Sequence, residues 1–389
     1  MMLQYGHRPA PGKTAPLPQN LKALTSLRFF AAMWVVMFRF WPSLGAATPT
    51  FVARGYLGVE LFFVLSGFIL CHVYLPKFGA GRFSYREFLW IRLARIYPVH
   101  LATLVGLGLA VAAASLAGMR AGDKLVVWSS LPAHLTLTQA WGLAPDGGWN
   151  HPSWSISAEW FAYLSFPLFA LMAWRLRSRP GVAMALALGF IAFIYPAFHR
   201  LAGFPLASAT ISWGALRIVP CFALGCATYL LWSAHPLRVR GVALAAAGAA
   251  FMAIVAGAEY GAPAPLLVVL FGAFIYSLAN LESARSRLLT APAFVYLGEV
   301  SYSIYMICVP WQLVCENAAH KVFGLPGQTL PLPLWIALLV GIAPAAMALH
   351  HFVERPAREA MRSRRAWFAG PGARRRLGGV VAGQSAPVA

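Results

Sequence analysis

Of the chain's 389 residues, 60% are hydrophobic and only 11% are charged, with a formal net charge of +20. Soluble domains carry about 25% charged residues, so this composition excludes an ordinary water-soluble fold and calls for a surface that faces lipid. The positive charge is spread over many short segments rather than one face. That argues against nucleic acid as a partner and for a topological signal with attraction to anionic headgroups of the bilayer.

Residues 1–20 are rich in Pro and Gln and have no apolar centre, so they read as a cytoplasmic tail and not as a cleavable signal. Apolar runs of about 20 residues, the length that crosses the hydrocarbon layer, then recur along the chain. Ten spans are predicted: Ala23–Trp41, Tyr56–Leu75, Val99–Gly118, Ile156–Trp174, Gly181–Phe198, Ile211–Trp232, Gly241–Ala258, Pro265–Leu278, Phe294–Val314 and Leu334–His350. Met119–Ser155 is too polar at its ends to span and is expected to rest at the interface. The fold class is therefore an all-α polytopic membrane protein with its membrane domain over 21–358. A basic, Gly- and Ala-rich tail over 359–389 is expected to be disordered. The five cysteines fall in or beside spans without metal-type spacing and read as small buried apolar residues; no metal site is expected.

Ionisable residues inside a bilayer are costly and tend to be functional. Three cations, Arg28, Arg39 and Arg217, and three carboxylates, Glu60, Glu159 and Glu299, lie in predicted spans. They can form structural ion pairs, or they can line a polar chamber for an anionic or polar ligand. Arg28 and Arg39 are separated by about three helical turns, which puts them within roughly 20° of one face and about 16 Å apart along the axis. Arg92 and Arg95 share a face at i, i+3 near the cytoplasmic entry of the third span, where guanidinium forks suit phosphate or serve as positive-inside charge. In GGWNHPSWSISAEWFAYLSFP, Ser157 and Glu159 cannot share a helix face, whereas Tyr163 lies at i+4 from Glu159 and can hydrogen-bond its carboxylate.

These segments resemble the acyltransferase-3 family, multi-span bacterial enzymes that O-acylate surface and exported carbohydrates. The likeness is carried in chain order by LTSLRFFAAMWVVMFRFW, GYLGVELFFVLSGFIL, FLWIRLARIYP, PSWSISAEWFAYLSFP, RIVPCFALGCATYL, YLGEVSYSIYMICVPW and FVERPARE. It implies a multi-pass protein of the bacterial cytoplasmic (inner) membrane. The implied reaction uses cytoplasmic acyl-CoA, usually acetyl-CoA, as co-substrate, with no permanently bound cofactor and a carbohydrate hydroxyl as acceptor. Arg28, Ser157 and Glu159 match family positions in the first and fourth spans. Arg92 and Arg95 match the pair implied to engage the CoA phosphates. Trp154, Tyr163 and Tyr302, aromatic residues of matching segments, are candidates for substrate contact.

Two positions depart from the family pattern. Arg39 stands where the family's first span carries a His implied to be the catalytic base, and Cys308 stands where a second His is frequent. A guanidinium cannot accept a proton, though it can stabilise an oxyanion. Four readings follow: an enzyme using Glu60 or Glu159 as base, a covalent route through Cys308, an acyltransferase-like chain without turnover, or a transporter of lipid-linked sugar.

Orientation follows from the basic residues. With the N-terminus inside, the inner segments hold 23 of the 31 Lys and Arg, the outer segments hold 5, and three lie within spans. Both termini are thus expected in the cytoplasm. Reporter fusions after Val314 and after His350 should report outside and inside respectively, and the reverse pattern would refute this topology.

Overall fold

The computed structural model describes residues 21–116, 125–144, 147–281, 289–325, 327 and 329–364. Among these residues the regular secondary structure is helical, apart from one isolated bridge between Thr210 and Trp213. Eight helices are long and apolar enough to cross a bilayer. Among them are α1 (Lys22–Phe40) and, after a single turn α2 (Thr50–Ala53), α3 (Gly58–Gly79) and α4 (Tyr85–Leu116). A short helix α5 (Leu131–Leu135) precedes α6 (Trp154–Leu164) and α7 (Phe166–Leu176). The chain continues with α8 (Pro180–Ala202), α9 (Gly214–Ala234), α10 (Arg240–Glu259), α11 (Ala264–Asn280), α12 (Pro292–Phe323), α13 (Leu332–Leu349) and α14 (Arg355–Ser363). Eight of the ten predicted spans match these long helices among the described residues, a ninth matches α6 and α7 taken together, and the tenth, Pro265–Leu278, falls on the shorter apolar helix α11.

Four details differ from expectation. The fourth span is not one rod: α6 and α7 meet at an angle of 56°. Pro167 in the first turn of α7 offers no N–H to continue the hydrogen-bond ladder of α6. Helix α4 begins well before Val99, so Arg92 and Arg95 stand on the span's own helix. The segment before α6 inserts into one end of the bundle instead of lying on it. Leu137, Gln139 and Ala140 are buried, and Ser157 Oγ donates to Leu137 O (2.8 Å) while accepting Ala140 N–H (3.0 Å). Finally, residues 359–363 of the expected tail are helical, as the end of α14. An Arg355–Glu359 pair at i, i+4 (2.9 Å) supports the helix itself, and a bond from Trp90 Nε1 to Met361 O (2.7 Å) ties α14 to α4. Residues 1–20 and 365–389, the remainder of both expected tails, lie outside the described residues.

Helices α3 and α9 form the centre. About 67% and 72% of their apolar windows are buried, against 28% for α8 and α10, which face outward. Lipid gives apolar helices little reason to associate, so close backbone approach through small residues draws them together. A Cβ on Gly67 would stand 2.2 Å from Phe222 O, and one on Gly225 would stand 2.0 Å from Val64 O. Gly298 does the same for α12 against α1, where Thr25 O would lie 2.0 Å from an added Cβ. These three glycines set the spacing of α3 against α9 and of α12 against α1.

Gly225→Ala must therefore push α3 and α9 apart. We expect a loss of about 1–3 kcal/mol, the usual cost of overpacking, seen as a lower midpoint of unfolding in detergent. Gly189→Ala on α8, where an added Cβ meets nothing within 4 Å, should leave the midpoint unchanged or slightly raised. Equal behaviour of the two variants would contradict this packing.

Candidate active site

The intramembrane charges divide into a sealed pair and an open set. Arg217 of α9 and Glu60 of α3 form the sealed pair, with Nη2 2.6 Å and Nε 2.7 Å from Glu60 Oε1. Arg217 Nη1 also donates to Ala209 O (2.8 Å), and its guanidinium lies over the Trp154 ring at 4.6 Å. Glu60 is fully buried and lines neither cavity described below. The expectation of a catalytic Glu60 is thereby corrected: its carboxylate is occupied by a neighbouring guanidinium and locks two central helices. Glu299 is exposed, with Arg355 as an electrostatic neighbour, and is no part of an interior chamber.

The open set lines a cavity of about 180 Å³ between α1, α3, α4, α6 and α12. Arg28, Arg92 and Arg95 face it, together with one carboxylate, Glu159. None of the three guanidiniums forms a salt bridge among the described residues. Glu159 Oε1 accepts hydrogen bonds from Tyr163 OH (2.5 Å), as the i+4 spacing predicted, and from Ser66 Oγ (2.8 Å). Arg92 donates to Tyr74 OH (3.2 Å), rests near the Tyr74 and Tyr163 rings (5.4 and 5.9 Å), and keeps a buried Nε without a partner. Tyr302 lines the same wall and donates its hydroxyl to Ile96 O. Three cations against one anion leave the cavity with a formal excess of two positive charges, which suits an anionic ligand.

A second cavity, of about 320 Å³, lies toward the other end of the bundle. It shares Val59 and Tyr305 with the first, so the two are separated by one wall. Arg39, Arg217, Tyr56, Trp154, Ser208, Thr210 and His151 line it. Arg39 is free of salt bridges among the described residues, and its buried Nε has no hydrogen-bond partner. Neither Glu60 nor Glu159 reaches it. Arg28 and Arg39 thus serve two chambers stacked along α1 and not a common one.

Other expected residues fall elsewhere. Ser157 lines neither cavity; its hydroxyl bonds the inserted segment and positions it. Cys308 is buried in a separate apolar cluster with its thiol donated to Tyr305 O (3.1 Å), and it lines neither cavity. His100 is buried, with Nε2 2.9 Å from His134 O, as a structural residue.

Two contributions to the site were not foreseen from the sequence. Helix α14 brings Arg358 and Arg362 to the same end as Arg92 and Arg95; all three are electrostatic neighbours of Arg362. The signal was present in RPAREAMRS: a Pro in the first helical turn and a carboxylate four residues after Arg355 mark a helix. Glu354 anchors that helix, accepting from Ser303 Oγ (2.8 Å) and pairing with His350 Nδ1 (2.9 Å) and Arg358 (3.5 Å). The second contribution is His151, an electrostatic neighbour of Arg39 across the second cavity. No spacing rule links positions so distant in the chain.

A family model described as an acyltransferase domain matches residues 21–351. The chain is 28% identical over 386 residues to Acyltransferase MdmB of Streptomyces mycarofaciens, covering 90% of this chain and 95% of that protein. It is 37% identical over 87 residues to Protein 2 in picA locus of Rhizobium radiobacter, covering 22% of this chain and 44% of that protein. No solved structure is significantly similar. The helical bundle, its interior charges and a family match that begins at α1 and ends beyond α13 lead to one conclusion: this chain is a membrane acyltransferase belonging to the acyltransferase-3 family.

Proposed function

We propose that the chain transfers an acyl group, acetyl in the first instance, from cytoplasmic acyl-CoA to a hydroxyl of an exported or cell-surface carbohydrate. The observation that carries this reading is the first cavity. Its three guanidiniums lack salt bridges among the described residues and face a single carboxylate, and α14 adds two more arginines at the same end. CoA is polyanionic at one end and carries its acyl group at the other. Arg92 and Arg95, with Arg358 and Arg362, take the phosphates through charge-assisted forks. Glu159 acts at one remove: it holds Tyr163, whose ring lies against Arg92.

The acyl end of such a donor reaches toward the wall formed by Val59 and Tyr305. Beyond it, the second cavity offers aromatic rings and polar groups, the mixture suited to a hydroxyl-rich acceptor. Attack of an acceptor oxygen on the thioester carbonyl forms the ester C–O bond. The carbonyl electron pair returns as the C–S bond breaks, and CoA leaves with the proton as its thiol. Arg39, unmatched by any described carboxylate, stabilises the oxyanion formed between these two events. The Arg that replaces the family's His therefore has work in acyl transfer without acting as a base.

Arg92→Ala combined with Arg95→Ala should weaken CoA binding to the detergent-purified chain by roughly 10- to 100-fold for each guanidinium removed, since hydrogen bonds to charged groups contribute about 1.5–3 kcal/mol. Arg362→Ala, on an exposed position, should weaken it less. Titration calorimetry reads both, and unchanged affinity in the double variant would contradict the donor site.

A further inference from the structure

We infer that His151 is the general base of this acyltransferase, acting on the acceptor hydroxyl in the second cavity with Arg39 beside it. The inference rests on the acyl-transfer reading above and adds the group that reading leaves unnamed. Among the side chains lining that cavity, the titratable groups are Arg39 on α1, Tyr56 before α3, Arg217 on α9, Tyr305 on α12 and His151 itself. Guanidinium and phenol titrate far above neutral pH; imidazole alone accepts a proton near it. The other candidate bases are unsuitable on geometry. Glu60 is bound to Arg217, and Glu159 faces the first cavity with its Oε1 already accepting two hydrogen bonds.

His151 is also held as a catalytic group should be. Its side chain makes no hydrogen bond with any described residue and keeps access to solvent, so its ring nitrogens are open to a ligand. The residues on either side of it are fixed. Asn150 Nδ2 donates to Met306 O (2.8 Å) and to Thr103 Oγ1 (3.2 Å), and Tyr305 OH donates to Pro152 O (2.9 Å). The backbone that carries this open imidazole is thus anchored to α4 and α12 beside the wall between the cavities, which fixes where the ring can reach. Burial at the cavity first, and the Arg39 guanidinium second, favour the neutral, proton-accepting ring.

The step balances with no further reactant. A nitrogen of His151 takes the hydroxyl proton as the acceptor oxygen bonds to the thioester carbon. Arg39 holds the oxyanion. The C–S bond then breaks, and the imidazolium returns its proton to the departing thiolate sulfur, so ester and CoA thiol are released and the ring is neutral again.

The test uses membrane vesicles carrying the full chain, [1-14C]acetyl-CoA as donor and label incorporated into vesicle glycan and lipid as readout. His151→Ala and the milder His151→Gln should each lower the rate about 10²–10⁴-fold, leave CoA affinity unchanged in calorimetry, and lower kcat rather than raise KM for acetyl-CoA. Added imidazole should restore part of the rate to His151→Ala and none to His151→Gln, which leaves no space for it. Wild-type rates in both variants, or a loss that imidazole does not relieve in His151→Ala, would overturn the assignment while acyl transfer stands. Wild-type protein that binds CoA but transfers no label would overturn it and leave the donor site intact. Wild-type protein that neither binds CoA nor transfers label would overturn it together with the acyl-transfer reading.

Discussion

A charge in low dielectric needs a counter-charge, and this chain has 11 carboxylates for 31 Lys and Arg. Where those few anions go decides the character of every interior Arg. Glu60 is given wholly to Arg217 between the two central helices. Breaking such a pair by removing one partner costs about 3–5 kcal/mol, so this cation belongs to the architecture. Glu159 is shared by a hydroxyl and a phenol at the edge of a cavity with three guanidiniums. Glu354 is tied to α12, to His350 and to Arg358. The cations left over, Arg28, Arg39, Arg92 and Arg95, all line cavities. An excess of cation around empty space inside a bundle is the arrangement of a site whose remaining anion arrives as ligand or forms during reaction.

The backbone makes this allocation possible. Glycines at 67, 225 and 298 let helices approach until an added Cβ would overlap carbonyl oxygens. That proximity brings Glu60 and Arg217 within hydrogen-bonding distance. Helix α6 presents Glu159 and Tyr163 to α3 and α4, and the inserted segment, braced by Ser157, carries His151 to the second cavity. Two chambers separated by Val59 and Tyr305 result, one rich in guanidinium for a polyanionic donor and one mixed in chemistry for an acceptor.

Much of this was legible in the chain. Length and hydropathy placed the eight long apolar helices and the bent pair α6–α7, because a bilayer dictates span length more strictly than a soluble core does. The i+4 relation of Glu159 and Tyr163 and the shared face of Arg92 and Arg95 followed from helical period. What could not be read were contacts between distant segments: that Glu60 would pair with Arg217, that Ser157 would turn to the inserted segment, and that Arg28 and Arg39, on one face, would serve different cavities. The bend at Pro167 was readable in principle, since a proline after a short polar break signals it, but continuous hydropathy across Ile156–Trp174 concealed it.

If the guanidiniums of the first cavity, which no carboxylate pairs, are there to receive the phosphates of an acyl carrier, the phosphates themselves must stabilise the fold. The most direct measurement compares the thermal unfolding of the purified full-length chain with CoA and with pantetheine, which has the same thiol arm and no phosphate. At about 100 times its Kd a ligand stabilises the folded state by about 2.7 kcal/mol, so CoA should raise the unfolding midpoint clearly while pantetheine at the same concentration leaves it near the unliganded value. Equal shifts with both compounds, or none with CoA, would contradict that role.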